Sequence, residues 1–149
     1  MSTELLIRSA HEDDLAAVLR LWIEAEVTPP SVSDSMEGLT RLVREPNAVL
    51  IIALIEGRLV GSVIGGWDGW RGNIYRLAVA PAYRRKGIAR RLVEEIDRAL
   101  FDKGAERLSA LVEHQHPWAI AFWESLHHLG FERDPQFVRY IVDRSLHTR

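Results

Sequence analysis

The run from Leu77 to Leu92 constrains the fold more than any other part of this chain. An apolar strand end, Leu77-Ala78-Val79-Ala80, meets Pro81, passes through the basic loop Ala82-Tyr83-Arg84-Arg85-Lys86-Gly87 and opens a helix at Ile88. Proline has no N–H for a ladder, so the strand stops there. The first turn of a helix has N–H groups with no intrahelical partner and carries the positive end of the helix dipole, so a phosphate can dock there. Gly87 and Ala89 are small enough for close approach, and Arg84, Arg85, Lys86 and Arg90 bring positive charge. Taken alone, Arg84-x-x-Gly87-x-Ala89 reads rather as the solvated basic start of a helix, so the rest of the chain has to decide.

Composition narrows the field. A chain of 149 residues with 47% hydrophobic content is expected to form one domain, residues 1–149, with a real core. The formal net charge of -2 speaks against a dedicated nucleic-acid binder. The absence of cysteine removes disulfides, thiol nucleophiles and thiolate metal sites, and it fits a reducing compartment. Met1-Ser2-Thr3-Glu4 is acidic without an apolar stretch, and no apolar run reaches membrane-span length. The expectation is a soluble, cytoplasmic protein with neither membrane nor nucleic-acid partner.

Along the chain, strands alternate with helices. Leu5–Arg8 reads as a strand, Ser9-x-x-Glu12 as a capping box, and Leu15, Val18, Leu19, Trp22 and Ile23 as a helical stripe ending before Pro29-Pro30. Met36, Leu39, Leu42 and Val43 mark a second helix that stops at Glu45-Pro46. Ala48–Ile55 is a buried strand, turning through Glu56-Gly57-Arg58 into Leu59–Ile64 as a hairpin. The glycine-rich stretch 65–72 reads as a turn, followed by a strand Asn73–Val79. After Gly87 comes a long helix with Leu92, Val93, Ile96 and Leu100 on one face, closed at Lys103-Gly104. Leu108–Val112 is a strand, Pro117 opens a helix that ends at Gly130-Phe131, and Val138–Val142 is a last strand. The fold class is α/β with a mixed sheet. An antiparallel meander leads into a strand–helix–strand unit, and the natural ligand crevice lies where two parallel strands part.

At this point the chain resembles the GNAT family of N-acetyltransferases, similar to small bacterial members of uncertain substrate. Their coenzyme loop, Arg/Gln-x-x-Gly-x-Gly/Ala after a strand and Pro, is matched by Pro81, Arg84, Gly87 and Ala89. Their Ala-x-x-Phe-Tyr motif with a following Gly-Phe is matched by Ala119, Phe122, Gly130 and Phe131. The resemblance covers nearly the whole chain in element order, and the pair of motifs is far more specific than either half. It implies about four helices around a sheet whose central parallel pair, Asn73–Val79 and Leu108–Val112, splays apart. Backbone N–H groups from Arg85 through Lys86, Gly87, Ile88 and Ala89 to Arg90 would then hold the pyrophosphate of acetyl-CoA. Leu77, Ala78 and Val79 would pair with the pantetheine arm as an added strand, and the Val79 N–H would polarise the acetyl carbonyl. An amine acceptor attacks directly and the coenzyme thiolate leaves. A homodimer is expected from exposed aromatic residues, as in many family members.

The departures matter too. Trp123 stands where the family usually has the Tyr that protonates the thiolate, and an indole N–H cannot give up its proton in that way. His116 replaces an Asn that often contacts pantetheine. A few extra residues lie within Leu126–Leu129, and the family's usual carboxylate positions fall at Asn73 and Leu111. Glu113, Tyr75, His116 and Tyr140 are the candidates for acid and base; Glu113 reads rather as a surface carboxylate, Tyr75 as readily as a core tyrosine, and His116 also as a helix cap or packing group. His114-x-His116 and His127-His128 read as surface histidines rather than a metal site, since no His-x-x-x-His pair or third ligand accompanies them. Trp67, Asp68, Trp70 and Arg71 line the acceptor entrance or form a hairpin turn whose tryptophans pack at a dimer face. Thr28–Ser35 is the expected specificity loop.

Overall fold

The computed structural model describes residues 4–25, 31–113 and 117–144. They fall into two compact units, Met1–Leu111 and Val112–Arg149. The first unit is built on one sheet in the order β1-β2-β3-β4-β5. Its strands are β1 (Leu5–Ser9), β2 (Ala48–Ile55), β3 (Arg58–Trp67), β4 (Gly72–Val79) and β5 (Leu108–Ala110). The first four form an antiparallel meander, and β5 joins β4 in parallel. Helices α1 (Leu15–Glu24), α2 (Met36–Arg44) and α3 (Ile88–Lys103) complete it.

Local chemistry explains most boundaries. At the β2–β3 turn Glu56 and Gly57 both take positive φ, 51° and 79°, as a two-residue hairpin requires. Ser35 caps α2 by accepting the Gly38 N–H at 3.0 Å, and Gly104, with φ 117°, closes α3. The expected Ser9 box is displaced. Ser9 is held in the ladder opposite Ile51, so the chain makes a short turn, Glu12–Asp14, before α1. The Asp14 carboxylate accepts the His11 N–H at 2.7 Å and two Arg8 hydrogen bonds, and those Arg8 bonds are the main reason its pKa is lowered. On α1, Leu21 is buried where Ile23 was expected; Ile23 sits one helical step beyond Trp22 and is 77% exposed.

The stretch Gly65-Gly66-Trp67 belongs to β3, not to the turn. Close packing explains Gly65 and, earlier in the strand, Gly61: a Cβ on Gly65 would lie 2.7 Å from Ile96 Cδ1, and one on Gly61 2.9 Å from Leu92 Cδ1. Helix α3 therefore lies tight on one face of the sheet through Ile88, Leu92, Ile96 and Leu100. Ser62, between those glycines, points to the other face, where Trp22 Nε1 of α1 donates to its buried hydroxyl at 2.9 Å. The turn itself is Asp68–Arg71, held by the Asp68 carboxylate accepting the Trp70 and Arg71 N–H groups at 2.8 Å.

One polar group sits awkwardly in this packing. Asp97 Oδ1 on α3 is buried with no hydrogen-bond partner among the described residues, and burial, aided by Glu94, pushes its pKa up to about 7. The folded state thus holds a proton that the unfolded state has released between about pH 4 and pH 7, and stability falls across that window as pH rises. Asp97→Asn removes the titration. Its melting temperature should gain on the parent protein from pH 4 to pH 7 and keep a constant lead above pH 8; thermal melts across that range check it. An equal offset at every pH would show that ionisation of Asp97 is not the cause.

The second unit holds α4 (Pro117–Glu124), which runs on into a tighter turn, Ser125–Leu129, around the buried Leu126. Gly130, with φ 91°, ends it, its N–H donating to His127 O at 2.9 Å. The expected strand Val138–Val142 does not form, and Tyr140 is 91% exposed. Its alternation is strand-like, but a strand needs a ladder neighbour, and it has none among the described residues. Strand β5 is likewise shorter than expected, ending at Ala110. Among the described residues no helix is long and apolar enough to cross a membrane.

Candidate active site

Strand β4 changes character midway. Its register with β3 runs from Tyr75 opposite Ile64 to Ala78 opposite Ser62, one residue too many on β4. The excess is a β-bulge at Arg76, a non-glycine residue held at φ 53°. On the other side, β5 pairs with β4 only as far as Ile74 opposite Ala110, so the edge of β4 from Tyr75 to Val79 is open there. This is the expected splay. Ala78 faces Ser62 and the Ala80 N–H donates to Val60 O at 2.8 Å. Val79, between them, directs its N–H and carbonyl away from β3 toward the open side. The bulge thus presents a backbone donor that no strand among the described residues takes up.

The bulge is clamped from the opposite face. Arg76 pairs with Asp34 at 2.5 Å, with both side chains largely buried (14% and 13% exposed), and its guanidinium lies 5.5 Å from the centre of the Trp22 ring. Asp34 also accepts the Ser31 N–H at 2.9 Å, which ties the segment before α2 to β4. This clamp is invisible in the sequence pattern. Residues 28–30, the first part of the expected specificity loop, lie outside the described residues.

Beyond Val79, Pro81–Tyr83 form a short turn and the loop follows. Arg85 and Gly87 both take positive φ, 63° and 79°, curving the backbone into a concavity. The first intrahelical bond of α3 is from Arg91 N–H to Gly87 O at 3.1 Å, and no side chain among the described residues caps the helix. The N–H groups of Ile88, Ala89 and Arg90 therefore point out of the helix start. Nothing lies within 4 Å of where a Gly87 Cβ would stand, so the space above is open. Arg85, Lys86 and Arg90 are exposed around it. Arg84 departs from expectation: its guanidinium turns inward, Nε donating to Val79 O at 3.3 Å and Nη2 to Ala25 O at 3.0 Å.

The remaining candidates are spread. Tyr75 is on β4, 42% exposed. Glu113 lies in the second unit, half-buried, and Tyr140 is there too, on the exposed segment. On α4, Ala119, Phe122 and Trp123 are half-buried. The Trp123 ring meets Phe122 edge-on at 5.8 Å and Phe131 at 5.1 Å, so Gly130-Phe131 folds back to hold it. His114 and His116 fall outside the described residues. Of the other set, Trp67 packs on the Gly104 end of α3, and Arg71 stacks on the exposed Trp70.

A bulged strand that parts from its parallel neighbour and feeds a glycine loop at an uncapped helix start defines an α/β protein with a backbone suited to an anionic ligand. The chain belongs to the acetyltransferase (GNAT) family, whose model matches residues 12–131, and it is an N-acetyltransferase. An acetyltransferase of Pectobacterium atrosepticum is 32% identical over 138 residues, 93% of this chain and 97% of that one. A second, from Sodalis glossinidius, is 32% identical over 80% of this chain and 84% of its own. Among solved structures, the PaiA N-acetyltransferase of Thermoplasma acidophilum in complex with coenzyme A aligns with a TM-score of 0.74 at 18% identity, covering 83% of this chain and 88% of that one. A transcriptional regulator of Bacillus halodurans reaches 0.76 at 21% identity over 93% of this chain and all of its own. At such identities the structures speak for the fold.

Proposed function

We propose that the protein moves an acetyl group from acetyl-CoA to a primary amine, on a small molecule or on a protein N-terminus or lysine, by direct attack in a ternary complex. The observation that carries this reading is the Val79 N–H on the open edge of β4, next to the uncapped start of α3. Acetyl-CoA is the acyl donor. Its pyrophosphate sits on the N–H groups from Arg85 to Arg90, with the helix dipole and the exposed Arg85, Lys86 and Arg90 as counter-charge. Its pantetheine arm lies along Leu77, Ala78 and Val79 as an added strand, with Ala119, Phe122 and His116 completing the binding set. The thioester carbonyl then accepts the Val79 N–H, which stabilises the oxyanion as a neutral amine attacks. Alignment and polarisation supply most of the acceleration, so no protein nucleophile is needed.

The proton steps fall to Glu113, Tyr75 or Tyr140, with Trp123 able to hydrogen-bond the sulfur but not to protonate it. We read residues 1–149 as one cytoplasmic domain acting as a homodimer, with neither nucleic acid nor membrane as partner. Trp123 favours a second reading, an acyl-CoA-binding or sensing protein with weak catalysis. Release of free coenzyme thiol, measured over a panel of amines and peptide N-termini, separates the two. Turnover by the parent protein with any class of acceptor supports transfer. Tight coenzyme binding without turnover, joined to a large gain from Trp123→Tyr, supports the second reading.

A further inference from the structure

The sequence assigns the charge of Arg84 to the coenzyme phosphates, yet its guanidinium bridges two backbone carbonyls. We infer that Arg84 is a positioning residue that sets the direction of the Val79 peptide groups, and that it is not a phosphate ligand. This rests on the reading of Val79 as the donor to the thioester carbonyl.

In an extended residue the N–H and C=O point to the same side of the strand. Whatever holds the Val79 carbonyl therefore also fixes its N–H. On most strands a neighbouring strand does this, but β5 has already ended at Ala110 and β3 engages Ala78 and Ala80 instead. The Arg84 Nε takes the Val79 carbonyl on that open side. The anchor for the guanidinium is Ala25 O, at the C-terminal end of α1, where the dipole is negative and Ala25 itself is 2% exposed. A planar guanidinium can donate to two carbonyls at once and keeps its charge there, which an ammonium on a flexible stem does less well. One side chain thus joins the end of β4, the end of α1 and the start of the coenzyme loop. The phosphates keep Arg85, Lys86 and Arg90, all exposed.

The test compares Arg84→Met, which removes every donor, with Arg84→Gln. The glutamine amide nitrogen is bonded to Cδ just as the arginine Nε is, so it can keep the Val79 bond while losing the charge. Three quantities are read on the full chain, with a thermal melt of each variant alongside. They are the calorimetric affinity for CoA, the infrared carbonyl band of bound acetyl-CoA carrying ¹³C at the carbonyl, and thiol release from acetyl-CoA and from acetyl-pantetheine, which has no pyrophosphate. For Arg84→Met, CoA affinity should stay within about threefold, the band should return toward its free position, and turnover should fall about tenfold or more with both donors. Arg84→Gln should recover most of the band shift and of the rate. Equal loss of CoA affinity in both variants, with a defect that vanishes for acetyl-pantetheine, would make Arg84 a phosphate ligand and overturn the inference. Unchanged bands in both variants would also overturn it. A parent protein that binds CoA without shifting the band would instead remove the Val79 reading beneath it. If Arg84→Met does not fold, Arg84→Gln still decides: a loss of CoA affinity with a parental band, and a defect that vanishes for acetyl-pantetheine, overturns the inference.

Discussion

Gly87→Val should raise KM for acetyl-CoA by about two orders of magnitude and weaken CoA binding in parallel, with the melting temperature almost unchanged. The cause is the backbone, not crowding, because among the described residues no atom beyond the chain neighbours lies within 4 Å of the position a Cβ would take. At φ 79° a left-handed conformation costs a residue with a Cβ roughly 1–2 kcal/mol, most for a β-branched one. The loop relaxes toward negative φ instead, and the N–H groups of Ile88, Ala89 and Arg90 no longer converge with those of the loop. Each charge-assisted hydrogen bond is worth about 1.5–3 kcal/mol, so losing two of them accounts for the expected factor. Gly87→Ala, which can still visit the left-handed region, should fall between parent and valine. Calorimetric titration with CoA and the KM for acetyl-CoA check this; a valine variant with parental affinity would show that the concavity does not hold the coenzyme.

Asp34→Ala should give the largest loss of stability of any change at a charged residue of the first unit, about 3 kcal/mol. Its carboxylate meets Arg76 in a setting where both side chains are more than four-fifths buried, and it also accepts the Ser31 N–H. Removing it leaves the Arg76 guanidinium beside Trp22 without this carboxylate, and breaking a buried pair from one side costs more than the pair gains. Asp34→Asn keeps acceptors for both hydrogen bonds without the charge and should lose about half as much. Because the pair is shielded, added salt should change the difference little. Urea denaturation of the three proteins at low and high salt measures it. Parental stability for the alanine variant would show that the segment before α2 is not held to the bulge by this pair. The exposed pair of Arg44 with Glu12, at 2.5 Å but with side chains 70% and 50% exposed, is a fair control and should contribute little.

Much of the fold could be read because its signals are local. The Glu56-Gly57 turn, the Ser35 cap, the stripe of α3 and its Gly104 stop each act over a few residues, where dihedral preference and 3.6-residue periodicity decide. The shape of the loop before α3 is legible for the same reason, since proline, glycine and a helix start specify a backbone shape without help from elsewhere. The Ser9 cap and Ile23 were misplaced because a ladder claimed one and the helical angle turned the other outward. Gly65 reads as a turn former because its purpose, room for Ile96 and Leu100, comes from a helix some thirty residues away.

The sequence by itself determined the order of elements as far as β5, the left-handed turn at Gly87 before α3 and the family to which these motifs point. Tertiary structure alone decided what that backbone is set against. The bulge at Arg76 exists only as a mismatch between two strands, and no glycine announces it. Asp34 reaches Arg76 across 42 residues of chain, and Arg84 reaches Ala25 across 59. Such contacts depend on where the sheet and α1 bring distant segments together, and no local propensity encodes that distance. The direction of the Val79 N–H, on which the proposed chemistry turns, is therefore a property of the packed sheet and not of the residues that flank it.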